Sequence, residues 1–291
     1  MNRGIYMMVI ASLFFAVMGA LVKLLGGEIN SVQIVFFRNV VGSGFILVSM
    51  LGKPLVNRGG HFGLLVFRGV AGTIALLALF YNMTQIGLGI AITYLQTSPI
   101  FVALFSHWFL GERLKLPGWG AIILGFIGIL FIFKPDLQMS WTTNMLGLVN
   151  GILAGAAYTS VRALKSYYDT RSIVLSFMIS GTLLPLSLLI VGTFIGSIEM
   201  PYLITEFEMP QRLQWLWLFL VGVVSLLGQI FVTRAYGAEK AGIVSAIGYI
   251  TIPFSVVIGT IMGDPWPDVW SVLGMIMIIG SGIIISIRRN I

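Results

Sequence analysis

Apolar runs of about twenty residues, separated by short polar breaks along the whole chain, constrain this polypeptide more than any motif does. A helix needs about twenty apolar residues to cross the ~30 Å hydrocarbon core of a bilayer, and in lipid its backbone N–H and C=O groups must be satisfied within the segment. The runs fall at 5–25, 31–51, 62–83, 87–110, 116–134, 145–163, 172–196, 212–235, 241–262 and 269–287. The third and fourth are joined tightly around Gln85-Ile86-Gly87, the eighth and ninth around Gly237-Ala238-Glu239-Lys240. The expected fold is an all-α membrane protein with ten transmembrane helices. Composition agrees: charged residues make up 9% of the chain, the apolar set 58%, and mean hydropathy is +1.00, whereas a soluble domain carries roughly a quarter charged residues. With 291 residues so committed, no stretch is long and polar enough for a separate soluble domain. Binding or catalysis has to lie within the bilayer or at its edges.

The net charge of +7 reads as orientation in a membrane rather than as a nucleic-acid signal. With the N-terminus inside, the cytoplasmic segments hold Arg3, Lys53, Arg58, Arg113, Lys115, Arg162, Lys165, Arg171, Arg234, Lys240, Arg288 and Arg289, which is 12 of the 17 basic residues. The external loops hold Lys23, Lys134 and Arg212, and two arginines fall inside spans. Such a split follows the positive-inside rule and puts both termini in the cytoplasm. Trp108, Trp119, Trp141, Trp215, Trp217, Trp266 and Trp270 all sit near span ends, where indole favours the interface. The first run could pass for a signal peptide, but it extends to Lys23 and has a counterpart in the second half, so it reads as a retained span. The absence of cysteine excludes disulfides, thiolate metal sites and cysteine nucleophiles. The longest loop, 197–211, is external and carries Glu199, Glu206 and Glu208 between Pro201 and Pro210; it reads as a small surface cap without chemistry.

An internal repeat is the next most informative feature. Ala91-Ile-Thr-Tyr-Leu-Gln-Thr-Ser-Pro99 continues to Phe109-Leu-Gly111-Glu112, and Ser245-Ala-Ile-Gly-Tyr-Ile-Thr-Ile-Pro253 continues to Ile261-Met-Gly263-Asp264. Pro99 and Pro253 are offset by 154 residues, Glu112 and Asp264 by 152, and Gly128 and Gly280 by 152. The halves divide at 1–140 and 141–291. Five spans per half is an odd number, so the second copy enters the membrane inverted, an arrangement that places solute sites near the midplane between repeats.

On these residues the chain resembles the drug/metabolite transporter superfamily, in its ten-helix branch with two EamA-type repeats. The marks are Pro99 to Gly111-Glu112-Arg113-Leu114, its weaker copy ending Gly263-Asp264, and Arg38 in Gln33-Ile-Val-Phe-Phe-Arg38, which matches a common arginine of the family's second helix. The resemblance implies a carrier of small organic metabolites and leaves the substrate open. Asp264 stands where the family more often has Glu.

Candidate transport residues follow from what is polar inside apolar runs. Pro99 and Pro253 each remove a helix hydrogen bond near mid-span and are candidate hinges. Backbone freed there is tolerated where it lines a polar cavity, which nominates Tyr94, Gln96, Thr97, Ser98, Tyr249 and Thr251 as cavity lining. Arg38 and Arg68 lie about two turns inside their spans, where an unpartnered guanidinium costs at least several kcal/mol. Arg68 could instead snorkel to the interface near His61. If both face the cavity, an anionic or zwitterionic substrate such as an amino acid or carboxylate follows, because a fork of donors suits a carboxylate. Tyr81, Asn82, Tyr158 and Gln229 are further candidates to touch substrate; Asn39 and Thr233 are also polar within spans.

Every one of the ten acids falls in a loop or at a span end. The carboxylate-coupled antiport of the superfamily's small multidrug members is therefore not expected, and uniport or exchange is. His107, beside Trp108, reads as interfacial. Glu112 and Asp264 read as acids that stabilise a turn against neighbouring N–H groups or an arginine. Gly120, Gly125, Gly128, Gly274, Gly280 and Gly282 read as close helix packing. No phosphate-binding loop is present, and no cofactor or metal is expected. The partners are a small-molecule substrate and the lipid of a cell (inner) membrane, with the protein a monomer or homodimer and no nucleic acid bound. A lipid flippase would share these features. An intramembrane enzyme would need a buried His/Asp/Glu cluster, which two histidines without buried acids do not supply.

Overall fold

A computed structural model of the chain describes residues 3–25, 29–52, 55–85, 88–133, 140–195 and 207–287. Among these, all regular structure is helical: α1 (Arg3–Leu24), α2 (Ser31–Gly52), α3 (Phe62–Gln85), α4 (Leu88–Leu95), α5 (Ser98–Leu110), α6 (Leu116–Phe133), α7 (Trp141–Leu164), α8 (Thr170–Ile195), α9 (Arg212–Ala238), α10 (Ala241–Ile247), a single 3₁₀ turn (Gly248–Ile250), α11 (Thr251–Ile261) and α12 (Val269–Ile287). Each apolar run has become a helix or a broken helix. Residues 3–24, 31–52, 62–82, 170–194, 212–238 and 241–261 are long and apolar enough to cross a membrane. The chain is a multi-pass helical membrane protein. Expectations on Glu28, Lys53, Ile86-Gly87, Lys134, Asp136, most of the loop 197–211, Arg288 and Arg289 lie outside the described residues.

α7 is as long as the others but less apolar. Its buried Thr143, Asn150, Thr159 and Ser160 accompany its packing along α3 and α5. α7 begins four residues before its apolar run because Ser140 caps it, accepting from the Thr143 amide at 3.2 Å.

Two segments expected as continuous spans are interrupted. The helix tightens to a turn at Gln96-Thr97 between α4 and α5, and to a 3₁₀ turn at Gly248–Ile250 between α10 and α11. Pro99 and Pro253 thus sit in the first turn of the outgoing helix, where a missing N–H costs nothing, rather than in mid-helix. Both outgoing helices end the same way. Gly111 closes α5 at φ +66° and Gly263 follows α11 at φ +97°, backbone that favours glycine and leaves the next residue, Glu112 or Asp264, free to reach sideways. All seven residues of α10 are buried, and it forms the middle of the largest apolar core with α1, α5, α6 and α9.

Helix neighbours exchange in pairs. α1 packs along α9 as α7 packs along α3; α1 meets α11 as α7 meets α5; α2 lies on α9 as α8 lies on α3. α2 also pairs with α8, and α6 with α12. The α6–α12 contact is reciprocal at the backbone: a Cβ on Gly128 would meet the Gly274 carbonyl oxygen at 2.6 Å, and one on Gly274 would meet the Gly128 oxygen. Ser281 adds a 2.6 Å bond to the Ala121 carbonyl. Gly125 seats the Tyr249 ring. Gly120 and Gly280, expected to pack closely, face open space, and Gly282 makes one ordinary contact.

Candidate functional site

Arg38 on α2 and Arg68 on α3 enter from opposite ends of the bundle and converge on one ring. The Phe177 side chain of α8 lies 5.8 Å from the Arg38 Cζ and 4.7 Å from the Arg68 Cζ, measured to its centroid. Arg68 is also 5.8 Å from the Tyr158 ring of α7, which stacks on Tyr236 of α9 at 5.1 Å and 14°. Tyr158 lies within electrostatic reach of both guanidinium groups. Arg38 is 5% exposed and Arg68 2%, so Arg68 does not snorkel; His61, its expected neighbour, lies tilted against the Tyr167 ring at 4.1 Å instead. Two glycines on α3 make this possible. Gly69 lets α3 approach the Ser176 carbonyl of α8, and Gly72 leaves the space that the Arg68 Nη1 occupies.

Neither arginine has an acidic partner among the described residues, and each Nε lacks a hydrogen-bond acceptor. A cation over an aromatic face gains about 0.5–2 kcal/mol, less than burial of a charge within a membrane protein costs. The described acids Glu112, Asp169, Glu208, Glu239, Asp264 and Asp268 all sit at helix ends or in loops. Among the described residues the centre thus holds two cations and no acid, beside Phe177, Tyr158 and Tyr236.

Buried amides fasten the helices to one another. Asn39 donates to the carbonyls of Val35 (2.7 Å) and Gly181 (3.2 Å), Asn82 to Thr143 (3.0 Å) and Asn150 to Ala75 (2.5 Å), each leaving its Oδ1 buried and unpaired. Gln229 is buried on α9, and Tyr81, on α3, is half-buried.

The other predicted lining residues lie elsewhere. Tyr94 donates to the Asn144 side chain and lies on Gly147; Thr97 donates to the Tyr94 carbonyl (2.7 Å) and lies on Gly151; Phe101 lies on Gly155. These three fill a groove of glycines spaced by four on α7, a packing seam in which close approach is the point. Gln96 is half-buried in the break, and Ser98 and Pro99 are buried at the start of α5. Tyr249 is fully buried with its hydroxyl unpaired, Thr251 donates to the Gly248 carbonyl (2.8 Å), and Pro253 is buried beside them. Sequence reasoning missed Phe177, Tyr236 and this groove. The spacing Gly147, Gly151, Gly155 was a readable signal for the groove, whereas an aromatic in an apolar run carries none.

Each end of the bundle holds an ion pair. At the end rich in basic residues, Glu112 accepts from the Arg162 Nε (2.8 Å) and from the Ala241 amide (2.8 Å), capping α10; Arg162 also reaches the Gly237 carbonyl (3.2 Å). This is the role expected of Glu112. The pair borders a pocket of about 330 Å³ lined by Leu110, Ala163, Lys165, Ser166 and Gly237, one helical turn from Tyr158. Burial lowers the Lys165 ammonium pKa, with nearby Arg234 adding to the effect and Asp169 opposing it. At the opposite end, Asp264 pairs with Lys23 of α1. The Glu112 side chain is 14% exposed and that of Asp264 48%, so the first pair is the more deeply buried.

Residues 2–134 match the EamA-like transporter family. An uncharacterized transporter of Helicobacter pylori strain J99 is 33% identical over 98% of this chain and 94% of its own. The chain belongs to the EamA-like transporter family. The pseudopaline exporter of Pseudomonas aeruginosa strain PAO1 is likewise 33% identical, over 98% of this chain and 96% of its own. The S-adenosylmethionine uptake transporter of Rickettsia conorii is 23% identical over 88% and 83%. A crystal structure sharing 14% identity superposes with a TM-score of 0.79 over 97% of this chain and 95% of that one, and so shares its fold. The family and these relatives are transporters, and that kinship implies a small-molecule substrate and embedding in the bilayer.

Proposed function

We propose that this transporter carries small organic acids, anionic or zwitterionic, by alternating access as a uniporter or exchanger in the cell (inner) membrane. The observation that carries the reading is the convergence of Arg38 and Arg68 on Phe177 with no described acid paired to either. A substrate carboxylate supplies the charge-assisted acceptors that both Nε groups lack.

The chain crosses the bilayer ten times with both termini cytoplasmic, and its halves, 1–140 and 141–291, are inverted copies. The exchanged helix pairs support this, as do the matching breaks before Pro99 and Pro253 and the two ion pairs. Glu112–Arg162 and Asp264–Lys23 each join the residue after a broken helix to the last turns of the other half's first helix. They close the cytoplasmic and external ends in alternation, with α4–α5 and α10–α11 bending at their breaks. Among the described acids none reaches the centre, so substrate movement does not depend on a carboxylate proton relay.

The test is counterflow into proteoliposomes holding the purified chain, with labelled organic acids, amino acids, neutral metabolites and a fluorescent lipid as separate arms. Organic acids are expected to exchange, with Arg38→Ala and Arg68→Ala losing most of the uptake. Full uptake by Arg38→Ala, or lipid scrambling without acid uptake, refutes the reading.

A further inference from the structure

Resting on that reading, we infer that the preferred substrates carry two acidic groups, one for each of Arg38 and Arg68. Charge balance in a medium of low polarity makes the case. Both side chains are almost wholly buried, both remain protonated because arginine does not lose its proton in proteins, and no described carboxylate is within reach of either. A monocarboxylate leaves one guanidinium uncompensated. A zwitterion does worse, since its ammonium adds a cation to a centre where no described acid can receive it. A dianion neutralises both.

Geometry agrees with charge. The two guanidinium groups approach one Phe177 ring from different helices, so an apolar surface lies against both cations. A ligand with acidic groups at both ends of a short carbon chain suits such a centre, its methylenes against Phe177 and one carboxylate for each guanidinium. Tyr158 borders the Arg68 side and can donate its hydroxyl to the nearer carboxylate. An empty centre of this kind resists reorientation until it is filled, which makes exchange of one dianion for another the favoured cycle.

The experiment uses the full chain in proteoliposomes. Competition against a labelled dicarboxylate is measured for malonate through adipate, for the monocarboxylates of equal length and for glycine. At least one dicarboxylate is expected to compete at least about tenfold more strongly than its monocarboxylate, the worth of one charge-assisted contact. Acidifying the medium until the second carboxyl is protonated should abolish the advantage. Arg38→Gln and Arg68→Gln, which keep a polar side chain, should each bring the two classes within about threefold of one another, because one cation remains. Retained monocarboxylate competition in those variants shows that they are folded. If monocarboxylates compete as well as every dicarboxylate on the native chain, the inference falls while the organic-acid reading stands. If no carboxylate competes or is taken up while neutral or cationic metabolites are, both fall.

Discussion

A methyl group at position 72 would stand where the Arg68 Nη1 lies, with the Phe177 ring 3.0 Å away on the other side. On an open helix face, glycine to alanine stabilises by up to about 1 kcal/mol. At this position it evicts a guanidinium. Gly72→Ala is expected to keep native helicity by circular dichroism and to lose about tenfold or more in apparent substrate affinity, the cost of one displaced charge-assisted contact. Gly280→Ala is the control: with nothing within 4 Å of the new Cβ, uptake and thermal stability should be unchanged or slightly improved. Arg38 and Arg68 were legible because a charge stands out in an apolar run. Phe177 was not, because one more aromatic in such a run has no contrast, and its role depends on two helices far away in sequence.

At the scale of the element, the hydropathy pattern located each helical segment to within a few residues but not its interruptions. Pro99 and Pro253 pointed to weak points, yet whether a proline kinks a helix or opens a new one depends on whether the preceding residues have other partners. Thr97 does: its hydroxyl bonds the Tyr94 carbonyl, and Gly151 receives it. Gly151→Val should therefore overpack this seam and cost about 1–3 kcal/mol, read as earlier thermal unfolding in detergent. Between α7 and α8, Asp169 ties its own loop together through the amide and Nε of Arg171, at 2.8 and 3.2 Å. Burial alone would raise that carboxyl; the bonds from Arg171 outweigh it and hold its pKa below the ordinary value. Stability from this clamp is present at neutral pH, above the unfolded-state value, and is lost as pH falls through the lower folded-state value. Asp169→Asn should accordingly lower thermal stability near neutrality and lose less than the native chain on acidification below about pH 4.

For the whole molecule, the distribution of charge between loops was the legible part, since it needs only counting. The exchanged packing of α1–α9 with α3–α7 was not, because neighbours in a bundle are chosen by the shape of small-residue surfaces that hydropathy does not record. A chain without cysteine makes the topology directly testable. On intact cells an impermeant maleimide should label Asp268→Cys and should reach Arg58→Cys only after permeabilisation; the reverse would overturn the orientation. Oxidative cross-linking of Glu112→Cys with Arg162→Cys, or of Lys23→Cys with Asp264→Cys, should stop uptake, and reduction should restore it. A cross-linked pair that still transports would remove that end from the cycle.

The unpaired guanidinium groups beside Phe177 also make the empty molecule an electrical device. A charge carried across the full potential drop is worth about 2.3 kcal/mol per 100 mV. On the proposed cycle, an inside-negative membrane draws the unloaded centre toward the cytoplasm, and the proposed dianion would cancel the pull. Imposing a potassium diffusion potential across proteoliposomes should change the rate of the unloaded return and leave exchange between loaded states almost untouched.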